Sequence, residues 1–146
     1  MTQAILADAE ARPELFIWNG PIESPVLERW LASSSLAVPR DLFLFWAATG
    51  GGDLFETETI LGPFGNPGTG DDVIGANLVY RQNGLSADSL VFHVGMCVSA
   101  ARPDGVYVTL DAATFAPTAT YGSLEQWYVA AIRSEYAARY GLLSIS

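Results

Sequence analysis

The chain has 146 residues, half of them hydrophobic and 16% charged, and its 16 acids against seven bases leave a net charge of −9. That content is too apolar and too sparsely charged for a disordered chain, and a chain of this length buries roughly 70% of its unfolded surface, so one globular domain over residues 1–146 is expected. Every base is an arginine (Arg12, Arg29, Arg40, Arg81, Arg102, Arg133, Arg139) and they are scattered singly, so the basic stripe that nucleic acid requires is missing. The acidity repels nucleic acid and anionic membranes and favours a basic partner, or serves solubility alone.

In chain order, Met1 to Glu14 carries Asp8, Glu10 and Glu14 and has no basic segment ahead of a long apolar stretch, which does not read as a secretory signal; a cytoplasmic location is expected. Ser24 and Pro25 open a helix through Ala32, with Ser24 capping and Val26, Trp30 and Leu31 facing inward. A second helix starts at Pro39, sets Leu42, Phe45 and Trp46 at helical spacing and stops at Gly50-Gly51-Gly52. The longest apolar run, Leu42 to Ala48, has seven residues, far short of the about 20 that a membrane-spanning helix needs.

Leu54 to Leu61 reads as one strand, rich in Thr57, Thr59 and Ile60, with Leu54 and Ile60 sharing a face with Glu56 and Glu58. Gly62 to Asp72 is a Gly- and Pro-rich loop inside the domain. In Val73 to Gln82 the alternation of Ile74, Ala76, Leu78 and Tyr80 suits a strand, whereas Asp71-Asp72 before it and Asn83-Gly84 after it are helix caps; a helix is expected. Two strands follow, Ser89 to Val98 and Gly105 to Leu110, expected as antiparallel neighbours. Ser123-Leu124-Glu125-Gln126 is a capping box opening a long helix along Leu124, Tyr128, Ile132, Tyr136 and Tyr140, closed by Gly141. The fold class expected is α+β: an antiparallel sheet of about four to six strands packed with N-terminal helices and a long C-terminal helix.

Val38-Pro39-Arg40-Asp41-Leu42, Phe45-Trp46 and Gly50-Gly51-Gly52 resemble the Leu-Pro, aromatic, Phe-Leu and Asn-Gly-Gly pattern of the SUKH superfamily, the immunity proteins of bacterial polymorphic toxin systems and their fungal cell-wall-regulator relatives. The order of elements continues the resemblance over roughly residues 22–140, through the Trp30 helix, Ala76-Asn77 and Tyr80-Arg81, Leu90-Val91-Phe92, Gly105 to Asp111 and Ser123. The chain departs from the pattern at Val38, Leu42 and Gly50, and its connection from Val94 to Gly105 is longer. The resemblance implies a protein that binds and occludes a cognate toxin, with an intracellular regulatory or scaffolding protein as the alternative.

Candidate chemistry is sparse. His93 is the only histidine, lies in an apolar strand and has no G-x-S-x-G partner, so a structural role is expected. His93 and Cys97 share a strand parity, but zinc wants at least three protein ligands; no metal and no cofactor are expected. The triple glycine is followed by Asp53 and lacks the Lys of a phosphate loop. Paired carboxylates remain, and Asp71 and Asp72 fit helix caps. No catalytic residue is assigned. Glu56 and Glu58 on one side of the expected strand, Asp53 at its mouth, and with them Asp71 and Asp72, are the candidate partner-binding acids, the first three forming one compact negative patch.

Overall fold

The computed structural model describes residues 3–65 and 72–144. The chain enters through helix α1 (Gln3–Ala11), a 3-10 turn (Pro13–Leu15) and strand β1 (Phe16–Trp18), none of which carries a strong sequence signal. Helix α2 (Ser24–Ser34) follows, but Ser24 is its first residue and not its cap: Glu23 holds the cap position without a side-chain hydrogen bond. Its buried residue is Leu27, while Trp30 is half-buried and meets Trp46 edge-on at 5.6 Å.

Helix α3 (Arg40–Thr49) buries Leu42, Phe43, Phe45 and Trp46, as the helical spacing predicts. It ends where Gly50 turns left-handed at φ 74° and its N–H reaches Trp46 O at 2.7 Å. The glycines also allow close approach: a Cβ on Gly52 would sit 2.1 Å from Ile17 O, on the neighbouring strand. Only hydrogen fits there.

Among the described residues seven strands form one sheet in which each pairs antiparallel with its sequence neighbours, one more than the upper bound expected: β1, β2 (Gly52–Leu54), β3 (Glu58–Ile60), β4 (Leu90–Val94), β5 (Val98–Ala101), β6 (Tyr107–Leu110) and β7 (Pro117–Tyr121). Two of these hairpins replace single expected strands. Leu54 to Leu61 folds back on itself, with Leu54 opposite Glu58 and with Phe55 and Glu56 at φ 51° and 68°. That reversal has no Gly or Asn to announce it; the buried Phe55 ring holds it, stacked on Tyr136 at 4.8 Å and on Tyr140 at 5.7 Å. Ser89 to Val98 likewise turns at Gly95, so that Val94 pairs with Val98, and β5 comes between the two strands expected to be neighbours. The longer connection from Val94 to Gly105 contains that strand.

Helix α4 (Val73–Gln82) has the expected bounds, and Asp72 caps it by accepting from Gly75 N at 2.8 Å. Its Asn77 finishes a ladder: β3 ends at Ile60, and beyond it the Asn77 amide accepts from Val91 N and donates to Val91 O, each at 2.8 Å. A backbone pair is thereby satisfied by a side chain.

The C-terminal helix is expected as one α-helix and is three pieces, α5 (Leu124–Trp127), a π-helical stretch (Tyr128–Arg133) and α6 (Ser134–Tyr140). Ser123 caps it through Gln126 N at 3.1 Å, but the Gln126 side chain accepts from Gly122 N. In α-helix, residues five apart lie about 140° apart around the axis; a π turn stacks them. Tyr128 and Arg133 are such a pair, and both reach the buried Asp8 of α1, Tyr128 Oη and Arg133 Nε each at 2.7 Å from Oδ2.

Candidate functional site

The polar centre of the molecule is Glu58. Leu54 and Glu58 are paired across β2–β3, and Ile60, His93 and Ser99 are paired across β3–β5, which puts Glu58, His93 and Ser99 on one sheet face. Glu58 is 1% exposed and His93 and Ser99 are 0% exposed. His93 reaches this face through a bulge: Phe92 has no partner in the β4–β5 ladder, so Phe92 and His93 both lie against the Trp127 ring, at 4.7 and 5.1 Å. A bulge re-aims a side chain in this way.

The hydrogen bonds form one directed chain. Trp127 Nε1 donates to Ser99 Oγ at 2.9 Å, and Ser99 Oγ and His93 Nδ1 are 2.9 Å apart. His93 Nε2 lies 2.8 Å from Glu58 Oε1. Trp127 Nε1 is a donor only, so Ser99 Oγ accepts from it, and with His93 Nε2 donating to the Glu58 carboxylate both ring nitrogens have partners. Glu58 Oε2 also accepts from Tyr136 Oη at 2.8 Å and Thr57 Oγ1 at 3.0 Å, and the Met96 N–H points at both carboxylate oxygens from 3.2 Å. Burial pushes the Glu58 pKa up, but the hydrogen bonds from His93, Tyr136 and Met96 outweigh it and hold the carboxyl below its ordinary value. Gly95 makes room for this carboxylate, since a Cβ there would fall 2.2 Å from Oε1.

Serine, histidine and glutamate in sequence of contact have the composition of a hydrolytic triad. Here Ser99 and His93 expose no surface to a substrate, and the Ser99 oxygen is occupied by the indole N–H. The arrangement ties three strands to the C-terminal helix. Cys97 stands 3.9 Å from Ser99 Oγ, and burial raises its thiol pKa above the ordinary value, which disfavours the thiolate a metal or nucleophilic role needs. Among the described residues no three His, Cys, Asp or Glu side chains group as metal ligands. A second buried polar group, Asp8 with Tyr128 and Arg133, lies at one side of a cleft of about 450 Å³ walled by Ala4, Ala7 and Leu142.

The four candidate partner-binding acids among the described residues are dispersed. Glu58 is inside, so it cannot face a partner and the expected three-acid patch does not form. Glu56 is exposed at the β2–β3 turn, with Tyr140 Oη 3.4 Å away. Asp53 is exposed on the opposite sheet face, its Oδ1 accepting from Thr59 Oγ1 at 2.8 Å. Asp72 is half-buried as the α4 cap. Asp71 lies outside the described residues. Sequence reasoning found His93 but not its partners: Ser99, Trp127 and Tyr136 are joined to it by the bulge and the sheet register, and Gly95 was the one local sign of a turn.

A crystal structure of a protein from Pseudomonas syringae pv. tomato has the same fold, with a TM-score of 0.70 over 89% of this chain and 96% of that chain at 11% identity. No family model and no curated protein matches this chain. No helix among the described residues is long and apolar enough to cross a membrane.

Proposed function

We propose that this protein works by binding another protein in the cytoplasm, that the partner is a basic toxin it neutralises by occlusion, and that it carries out no reaction itself. The observation that carries this reading is the charge left outside after folding. Asp8 and Glu58 are the acids taken into the core among the described residues, and Arg133 is buried with Asp8. Glu10, Glu14, Glu23, Glu28, Asp53, Glu56, Asp88, Asp104, Asp111 and Glu135 stay exposed, on a chain whose net charge is −9. Such a surface attracts a basic protein over a Debye length of about 8 Å at physiological salt and suppresses wrong encounters. The resemblance to the SUKH superfamily supplies toxin immunity as the class.

Inspection of the gene's neighbourhood for a toxin gene, followed by co-expression with any toxin found there, tests the reading. Restored growth, with an association rate that falls as salt rises, is the expected result. Growth arrest that this chain does not relieve would return it to the alternative, a regulatory or scaffolding protein with an endogenous partner.

A further inference from the structure

The sheet has a face that its helices leave open. Ile17, Asp53, Thr59 and Val94 stand directly opposite one another across β1 to β4, in a single row about 14 Å long at the usual strand spacing. Ile17 is 68% exposed, Asp53 is exposed, and Thr59 and Val94 are half-buried. Farther across the same face the side chains are covered: Val91, Val98, Ala100, Val108 and Leu110 are all buried. Thus one sheet surface is closed over β4–β6 and open over β1–β3.

Asp53 sits near the middle of the open row. It forms no ion pair among the described residues, and its row neighbours are apolar or a threonine, so its exposed carboxylate has no cation paired with it. From this we infer that the open face docks a partner segment in which an arginine or lysine is flanked by apolar side chains, the cation meeting Asp53 and the apolar groups meeting Ile17 and Val94. The inference rests on the protein-binding reading above and names the surface and the partner chemistry. A second copy of this chain is the poorer occupant, because a two-fold contact centred on this row brings Asp53 close to its own symmetry mate. Like charges placed so oppose association.

The test uses the isotope-labelled full chain and two synthetic peptides, one alternating leucine with arginine and one alternating leucine with aspartate. The arginine peptide is expected to shift the amide resonances of Ile17, Asp53, Thr59 and Val94. Asp53→Asn should raise its Kd about tenfold, the loss of one charge-assisted hydrogen bond. Ile17→Ser should weaken binding as well, and neither exposed substitution should move the melting temperature. Shifts that are absent or centred on Glu10, Asp104 or Asp111, or an equal response to the aspartate peptide, would overturn the assignment. So would a dimer in sedimentation that Ile17→Ser dissociates. A chain that binds the arginine peptide here but gives no protection in co-expression loses the toxin reading and keeps this face; protection without such binding loses the face alone.

Discussion

Asp53 and Glu58 are two acids on one short hairpin with opposite fates. Asp53 points to the open sheet face, shares a hydrogen bond with Thr59 and keeps its water; Glu58 points under the C-terminal helix and gives up its water for donors from His93, Tyr136, Thr57 and Met96. Residue type does not separate them. What separates them is parity across the β2–β3 turn and the presence of a helix on one side only. An acid on a covered face costs stability unless its lone pairs are filled, and here they are.

Removing each carboxylate should therefore give unequal losses. Glu58→Ala leaves His93 Nε2–H, Tyr136 Oη–H and Met96 N–H without their acceptor and should destabilise by about 3–5 kcal/mol, whereas Asp53→Ala should stay within about 0.5 kcal/mol. Denaturant unfolding of the two variants measures both, and equal losses would erase the contrast. Gly95→Ala should cost about 1–3 kcal/mol, because its Cβ would displace the Glu58 carboxylate. That cost should shrink in the Glu58→Ala background, so a double-mutant cycle reports the coupling.

Acid sharpens the same comparison. Glu58 has a folded pKa below its unfolded value, so the native state binds fewer protons than the unfolded state as pH falls below about 4.3. Its contribution is fully present above that pH and is lost as pH falls through the folded pKa. Melting temperatures should therefore drop more steeply below about pH 4.3 for the wild type than for Glu58→Gln. Parallel curves would show that the buried carboxylate gains nothing from its partners. The smallest effect has the opposite sign: Glu56→Gly removes a side chain from a left-handed position at φ 68° and should stabilise by about 0.5–1 kcal/mol, read as a raised melting midpoint.

Much of the framework was legible because its signals are local. Asp72 and Ser123 cap the helices they precede, Gly50 and Gly141 take the left-handed conformation that ends theirs, and the spacing of Leu42, Phe45 and Trp46 marks a buried face. Each of these depends on residues within a turn or two of one another, where propensity and capping act directly. The α+β class follows from them.

Tertiary structure alone decided the site. The turn at Phe55 and Glu56 defies local preference and is held by rings from the far end of the chain; the bulge at Phe92 changes which way His93 points; the π turn brings Tyr128 and Arg133 together on Asp8. The sequence by itself settled where α3 stops, where α4 begins and ends, where the C-terminal helix opens and closes, and that the chain carries excess negative charge. Which acids remain in water was decided by strand register and helix cover, because burial is a property of what packs above a residue, and the partners that pack above Glu58 come from 35 to 78 positions away.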